Sequence, residues 1–385
     1  MRIVHVAHGW PTPGTGSAGG TERYAAALVE AQRALGADAV GFTPADVPAT
    51  RRPRGFTASW RSAAAEAAFT RMLDRHGADV VHFHHLSGLS LDLGPLARRA
   101  GARTVLTLHD AWLDCARGQL VDDSGAPCPG PDARRCARCL APALYAPLPG
   151  VTRLPPRLGP VHARREAVDR FFASMDLVLS PSHHLGPRLG RAARYLPLPL
   201  LSPPLPRPPR TDGPVRLLYA GALLPTKGPD IAVEAFARLP RGAATLAVVG
   251  PAPPYRGTRR YADQLRRRAA EIPGVRLHDA QPPEGMAARY ASADVLVFPS
   301  TWMENSPFVL REALAAGLRI VASDVPGARE VAPHASFVPP GDVAALAAAL
   351  AVEVRQAPLV QTPNPSPPAQ TLAEHAHTLL QLYRR

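Results

Sequence analysis

The chain has 385 residues, a hydrophobic content of 46% and a formal net charge of +13. This length exceeds one typical core and predicts two domains, and no apolar run approaches the roughly 20 residues needed to cross a bilayer. The arginines are scattered and have no interleaved aromatic side chains, which argues against nucleic acid as a partner. An anionic small substrate, or peripheral contact of the N-terminal domain with an anionic membrane surface, would also suit the basic charge.

The chain opens with a strand, a glycine-rich loop and a helix. The strand is predicted over residues 2–7 and the helix over residues 21–35. Gly14, Gly16 and Gly19 spell G-x-G-x-x-G between them. We reject a dinucleotide site here, because the motif does not follow its strand directly and the next strand does not end on an acidic residue.

Two further apolar strands of the N-terminal half run into histidines. The strands are predicted over 79–82 and 104–108. The histidines at their carboxyl ends are His82, His84, His85 and His109. Such positions face the crevice where ligands bind in a parallel sheet. We interpret at least two of the first three as packed residues, because their spacing fits no common zinc pattern.

All four cysteines lie within one polar insertion over residues 115–139. They are Cys115, Cys128, Cys136 and Cys139, of which the last two form C-x-x-C. The insertion is too polar to form its own core, so we predict a structural tetrahedral zinc site. Disulfides are the weaker alternative, because the N-terminus lacks the apolar core of a signal peptide and we expect a cytoplasmic protein.

The second half begins after a proline-rich linker over residues 201–214. Strands and helices alternate through 215–360, which predicts a doubly wound parallel sheet. Further strands are predicted over 215–220, 245–249, 275–277, 294–299 and 319–323. The first half, residues 1–200, forms the N-terminal domain in this interpretation. The final segment, 361–385, contains an amphipathic helix from Thr371 onward.

One lysine occurs in the whole chain, and it is Lys227. It lies in G-A-L-L-P-T-K-G, Gly221–Gly228, directly after the first strand of the second domain. Arginine fills the other basic positions, and the two side chains are not interchangeable at a crowded phosphate. We therefore expect a compact ammonium to be required at this loop.

A strand, a loop and a helix meet at residues 294–317. Ser306 is predicted to cap the helix, Pro307 to occupy its first position and Gly317 to end it in the left-handed conformation. The backbone amides of Phe308 and Val309 would then form an anion site sized for phosphate. Two carboxylates flank this helix start, Glu304 before it and Glu312 inside it.

The segment E-N-S-P-F-V-L-R-E-A-L-A-A-G, followed by V-A-S-D-V-P-G, resembles the E-x7-E segment of family 4 retaining glycosyltransferases. The resemblance implies the GT-B fold, in which two Rossmann-like domains face a central cleft and the last helix crosses back toward the N-terminal domain. It implies a UDP or GDP type sugar donor and a hydroxyl acceptor, which could be a glycan, a lipid-linked molecule or a natural product. It implies no cofactor for catalysis.

The resemblance also assigns roles to residues. Glu304 would contact the sugar ring, and Glu312 the ribose hydroxyls. The diphosphate would be held by Gly221, Lys227, Asn305, Ser306, Phe308 and Val309, with Gly19 and Gly20 allowing close approach of phosphate to the backbone. His109 would lie beside the reacting sugar, so the catalytic residues are His109, Glu304 and Lys227. The chain departs from the family at Ala222, where an arginine is usual.

Two other classes of protein remain open from the sequence. A GT-B glycoside phosphorylase would use free phosphate in place of a nucleotide. A non-catalytic subunit would bind a sugar nucleotide without transferring the sugar. The presence of Glu304, Glu312, Lys227 and His109 together disfavours the non-catalytic alternative.

Overall fold

The computed structural model describes residues 1–11, 19–48, 56–141, 158–206, 212–255, 257–356 and 370–385. The chain forms two compact units. Unit 1 comprises Met1–Pro11, Ala18–Pro197 and Leu372–Arg385, and unit 2 comprises Leu198–Thr371. The predicted glycine-rich loop and the predicted linker are described only in part, and Gly14 and Gly16 lie outside the described residues.

Unit 1 alternates strands and helices around one parallel sheet. Its elements are β1 (Arg2–Val6), α1 (Gly20–Ala34), β2 (Asp38–Phe42), α2 (Ala63–His76), β3 (Val80–Phe83), α3 (Leu93–Arg99), β4 (Arg103–Thr107), α4 (Ala133–Cys139), α5 (Leu158–Ala173), β5 (Leu177–Ser180), α6 (Leu185–Arg188) and β6 (Arg194–Tyr195). The strand order is β2-β1-β3-β4-β5-β6. The two-residue strand β6 was not predicted, because it is exposed and too short to show a hydrophobic pattern.

Local sequence accounts for the boundaries and packing of these elements. Helix α2 begins where the Ser62 side chain accepts from the amide of Ala65, and it ends at Gly77, whose φ of 61° is left-handed. Buried aromatic rings then join the helices to the sheet, with Phe83 of β3 lying 5.2 Å from Phe171 of α5. The hydrophobic core therefore lies between the sheet and its helices. The loops at the carboxyl ends of the strands can then carry the residues of a binding site.

Unit 2 is built on the same plan. Its elements are β7 (Val215–Ala220), α7 (Pro229–Phe236), β8 (Ala244–Val249), α8 (Arg260–Ala270), β9 (Val275–His278), α9 (Pro283–Ser292), β10 (Val295–Phe298), α10 (Phe308–Ala315), β11 (Arg319–Ser323), α11 (Pro326–Val331), β12 (Ser336–Val338) and α12 (Val343–Arg355). The strand order is β12-β11-β10-β7-β8-β9, again all parallel. Apolar clusters cover both faces of this sheet. The predicted doubly wound α/β fold is confirmed, while α11 and β12 were missed.

The last helix, α13 (Leu372–Tyr383), belongs to unit 1. It packs against α1 through a stripe that includes His375, Leu379 and Tyr383. None of the helices in the described parts of the chain combines the length and apolarity needed to cross a bilayer.

Candidate functional site

The strand order of unit 2 reverses between β7 and β10, and the loops that follow these two strands meet. In doubly wound sheets this reversal opens a crevice at the carboxyl edge, where ligands bind. Lys227 ends a short 3-10 turn after β7, and Glu304 lies in the loop after β10. The ammonium nitrogen of Lys227 lies 2.7 Å from the Oε1 atom of Glu304. Two of the predicted site residues are therefore in direct contact at the edge where a ligand is expected.

Glu304 is held in an unusual conformation. Its φ of 47° is left-handed, which costs a residue with a side chain about 1–2 kcal/mol. Its side chain is 4% exposed, and the hydroxyl of Ser300 donates to the same carboxylate oxygen that binds Lys227. A Cβ atom on Gly327 would lie 2.6 Å from the carbonyl oxygen of Asn305, so this part of the loop lies tightly against the start of α11. Backbone strain of this kind persists where surrounding contacts fix it, and it is frequent at functional sites.

The Lys227 ammonium is placed by contacts on both sides. It lies 5.0 Å from the centre of the Trp302 ring, within the range of a cation–π interaction. Gly228 follows with a φ of 65°, and a Cβ atom there would lie 2.2 Å from the carbonyl oxygen of Pro299. The Lys227 side chain is 27% exposed, so a ligand can reach the charge.

The start of α10 differs from the prediction. Pro307 is the N-cap, with extended dihedral angles, and the first helical residue is Phe308. The predicted cap, Ser306, instead accepts a hydrogen bond of 2.8 Å from the guanidinium of Arg311 on α10, and its hydroxyl does not cap the helix. The amides of Phe308 and Val309 still lie in the first turn. Gly317 ends the helix with a φ of 70°, as predicted.

The second predicted carboxylate, Glu312, is also positioned. The hydroxyl of Tyr290 donates to its Oε2 atom at 2.7 Å. Because Tyr290 is buried in the apolar cluster between α9 and α10, this bond fixes the carboxylate on a rigid support. Glu312 lies on the second turn of α10, eight residues after Glu304 in the chain.

The loop after β7 leaves no space for larger side chains. A Cβ atom on Gly250, whose φ is 157°, would lie 1.9 Å from the carbonyl oxygen of Gly221. The carbonyl oxygen of Ala222 accepts from the Tyr219 hydroxyl at 2.9 Å. Arg329 on α11, which could otherwise replace the arginine that is missing at position 222, forms an ion pair with Asp324. The positive side chain that the structure places beside Glu304 is thus that of Lys227.

In unit 1, the glycine pair lies at the start of α1. Gly19 is the N-cap of this helix and Gly20 its first residue. Glu22, in the first turn, lies 3.0 Å from the Nε2 atom of His8. Burial acts to raise the pKa of Glu22, but the hydrogen bond and charge of His8 outweigh it and lower the pKa. A Cβ atom on Gly19 would lie 2.6 Å from the Glu22 carboxylate, so a side chain at this position would displace it.

His109 follows β4 and is partly exposed. Its ring lies 5.3 Å from that of Tyr24, and its Nε2 atom lies 3.2 Å from the Nδ1 atom of His84. Burial lowers the pKa of His109 to about 3, so the ring is neutral at physiological pH. Together with Asp110 and His85, which lie 3.5 Å apart, it lines a small open cleft.

His82 lies within β3, His84 and His85 follow it, and the three have different environments. His82 and His84 are 0% and 3% exposed, which confirms that at least two of the three pack in the core, while His85 pairs with Asp110. The ligand atoms of His5, His82 and His84 lie within 4.8 Å of one another. Ring nitrogens of these residues bond to each other and to neighbouring polar side chains. The arrangement is therefore a hydrogen-bonded cluster.

The cysteines lie in the loop and the helix of the insertion that follows β4. Cys136 and Cys139 are on α4, while Cys115 and Cys128 lie in the preceding loop. Burial raises the pKa of the Cys136 thiol, and the neighbouring Cys115 and Cys128 raise it further. Around a zinc ion, four sulfurs would lie about 3.8 Å apart. Within the described residues, no three cysteine sulfurs approach one another within 4.8 Å, so zinc binding would require side-chain movement.

The zinc site stays a prediction that metal analysis can decide. Purified protein is expected to contain about one zinc per chain, with four thiols that react only after a chelator is added, since coordination requires deprotonated thiolates. Inductively coupled plasma analysis and thiol titration measure both quantities. Protein without zinc whose four thiols titrate at once would show that these cysteines hold no metal.

Two family models match the chain, one to each half. The model described as Glycosyltransferase Family 4 matches residues 18–199, and the model described as Glycosyl transferases group 1 matches residues 214–353. The chain belongs to glycosyltransferase family 4. Both Glu304 and Lys227 fall within the second match, and His109 within the first.

A curated glycosyltransferase also matches part of the chain. The family 4 chain is 33% identical over 117 residues to a D-inositol 3-phosphate glycosyltransferase of Corynebacterium efficiens, an alignment covering 28% of this chain and 26% of the relative. It spans between 14% and 27% of the length of the curated relatives it matches.

Solved structures share the whole architecture. A sucrose-phosphate synthase from Thermosynechococcus elongatus superposes with a TM-score of 0.67 at 21% identity, covering 100% of this chain and 98% of that one. The Anabaena protein HepE, solved with UDP-glucose, gives a TM-score of 0.61 at 14% identity, covering 100% and 95%. These likenesses establish the GT-B fold of this family 4 chain.

Several residues of the family 4 site were not predicted. Ser300 and Trp302 contact Glu304 and Lys227, and Tyr290 holds Glu312. Their loop and helix positions carry no spacing signal, because each contact depends on tertiary structure. His5 had a weak signal, as a polar residue inside the apolar strand I-V-H-V-A, and it lies at the centre of the histidine cluster.

Proposed function

We propose that this protein is a retaining glycosyltransferase that moves a sugar from a nucleoside diphosphate, of the UDP or GDP type, to a hydroxyl acceptor. The observation that carries the proposal is the Lys227–Glu304 pair at the strand reversal of unit 2, directly before α10. A reachable ammonium, helix amides and a buried carboxylate suit a ligand with one anionic end and one hydroxyl-rich end.

In the proposed reaction, the bond between the sugar C1 atom and the phosphate oxygen breaks while a bond from C1 to the acceptor oxygen forms on the same face. The Lys227 ammonium and the amides of Phe308 and Val309 stabilise the negative charge that grows on the diphosphate. The acceptor proton passes to an oxygen of the leaving diphosphate, so no side chain is required as a nucleophile.

The remaining site residues orient the substrates. Glu304 accepts from sugar hydroxyls, and Glu312, which Tyr290 holds in place, accepts from the ribose hydroxyls. The role of His109 beside the sugar, which the resemblance implies, stays a prediction. The HepE structure was solved with UDP-glucose, and we extend that ligand class to this chain. The acceptor, the contact with a membrane surface and the cytoplasmic location stay predictions.

Nucleotide binding provides the direct test. Thermal melting is measured with UDP, GDP, ADP and dTDP, and one of them at 100 times its dissociation constant is expected to add about 2.7 kcal/mol of stability. The variant Glu312→Gln removes the carboxylate proposed to bind the ribose, and the nucleotide should then raise the melting temperature by less. If none of the four nucleotides changes the melting temperature, the donor assignment is wrong.

A coupled assay separates the three protein classes. A glycosyltransferase releases nucleoside diphosphate from the preferred donor, slowly to water and faster to an acceptor. A glycoside phosphorylase would instead form a sugar phosphate from an oligosaccharide and inorganic phosphate without any nucleotide. A non-catalytic subunit would show the thermal shift and no turnover.

A further inference from the structure

A continuous line of hydrogen bonds runs from His109 into the interior of unit 1. The Nε2 atom of His109 lies 3.2 Å from Nδ1 of His84, whose Nε2 lies 2.9 Å from Nδ1 of His5. The Nε2 atom of His5 lies 2.8 Å from the side-chain oxygen of Gln32 on α1. Three imidazoles in series thus connect a candidate catalytic residue to a buried amide.

The line continues through the last helix of the chain. The Gln32 amide nitrogen donates to the Tyr383 hydroxyl at 3.4 Å. That hydroxyl lies 2.5 Å from Nδ1 of His82, whose Nε2 lies 2.8 Å from the Thr107 hydroxyl on β4. Tyr383 belongs to α13, so the final residues of the chain contribute to the surroundings of His109.

The imidazoles of this line are neutral. Burial lowers the pKa of His5 to about 4 and that of His109 to about 3, and it lowers the pKa values of His82 and His84 well below their usual range. A neutral imidazole has one N–H donor and one accepting nitrogen. Each ring can therefore pass on a hydrogen bond in one direction only, and the direction at one end dictates the proton position at the other.

The Gln32 amide sets this direction. Its oxygen faces His5, so His5 donates from Nε2 and accepts at Nδ1. His84 must then donate from Nε2 to His5 and accept at Nδ1, which leaves His109 to donate from its own Nε2. On the other side, Gln32 donates to Tyr383, which helps to anchor the amide in this orientation.

We propose that Gln32 and Tyr383 are positioning residues that hold His109 in the tautomer protonated at Nε2, with Nδ1 as its accepting nitrogen. This inference rests on the proposed function for the placement of His109 beside the sugar. Its consequence is that His109 meets a sugar hydroxyl as a hydrogen-bond acceptor. A neutral imidazole can serve as donor or acceptor, and the line of hydrogen bonds assigns the donor role to Nε2 and the acceptor role to Nδ1.

The tautomer can be read directly by NMR. Protein labelled with ¹⁵N-histidine is recorded in a two-bond ¹H–¹⁵N correlation spectrum, and the His109 signals are assigned by their loss in His109→Asn. The unaltered chain is expected to show a single His109 tautomer, protonated at Nε2. Protonation at Nδ1 would overturn the proposal, and the tautomer itself is recorded on the unaltered chain.

Two variants test the positioning role. Gln32→Leu removes the acceptor of His5, and Tyr383→Phe removes the group that anchors the amide. Each is expected to give mixed His109 tautomers and about a tenfold lower kcat, with the donor KM unchanged, because misplaced catalytic groups reduce rate more than binding. The matched control is Glu30→Gln, an exposed change on the same helix.

The outcomes separate this inference from the proposed function. If His109 shows the single Nε2 tautomer but the protein transfers no sugar, the inferred line of hydrogen bonds stands and the glycosyltransferase proposal is wrong. Sugar transfer by a protein whose His109 stays in one unchanged tautomer in both variants would contradict the inference alone.

Discussion

Replacing Lys227 with alanine is expected to lower kcat by about a hundredfold to a thousandfold, the usual effect of removing one fixed donor from a developing anion. The ammonium of Lys227 is the positive side chain placed beside Glu304, so the loss falls on the charge of the leaving diphosphate. Lys227→Arg should recover little of the rate, because a planar guanidinium cannot occupy the same compact position. Turnover at saturating donor measures the effect.

The same two strands provide a matched control. Arg216 in β7 binds Asp294, the residue before β10, at 3.1 Å, which is a second ion pair between these strands at the opposite edge of the sheet. Arg216→Ala also leaves a buried carboxylate without its basic side chain, so it should lower the melting temperature but retain kcat. If Lys227→Ala keeps its rate within twofold of the unaltered protein, the role assigned to Lys227 is wrong.

Mild acid is expected to unfold unit 1. His5, His82, His84 and His109 have lowered pKa values in the folded chain, against 6.5 for an ordinary histidine. As the pH falls below 6.5, the unfolded chain binds protons at these four positions and the folded chain does not. Each histidine then removes about 1.4 kcal/mol of stability per pH unit, or up to about 5 kcal/mol per pH unit together.

Unit 1 should therefore be fully unfolded before the pH reaches 4, because a typical domain has about 5–15 kcal/mol of stability in total. Urea unfolding at pH 7.5, 6 and 5 measures the free energy of unfolding. His82→Leu should reduce the pH slope by about one quarter, and the exposed change His162→Gln should leave it unaltered. A free energy of unfolding that is constant from pH 7 to 5 would contradict the neutral cluster.

The fold could be predicted from sequence because its signals are local. Apolar strands such as β7 and β11 match the predicted residues at both ends, and glycine at 317 marks the end of α10. The cap of α10 could not be predicted in the same way. Ser306 is a good cap by residue type, but the Arg311 side chain competes for its hydroxyl.

The site was predictable where a motif is contiguous and unpredictable where it depends on distant residues. Lys227 and Glu304 were selected as separate contacts of the donor, and the structure joins them in one ion pair. The histidine cluster could not be predicted, because Gln32 and Tyr383 are 351 positions apart and only folding brings them together. The sequence signal that remains is a polar residue inside an apolar strand, such as His5. This signal indicates a buried polar contact but does not identify the partner.

The return of the chain to unit 1 affects how the protein can be divided for experiments. A fragment that stops at Pro197 would contain the whole first sheet but not α13, which buries Leu379, Leu382 and Tyr383. Such a truncated gene product would expose an apolar strip along α1 and aggregate. A fragment that fuses 1–197 through a short glycine-serine spacer to 372–385 restores the missing helix and is the suitable form for isolating this half.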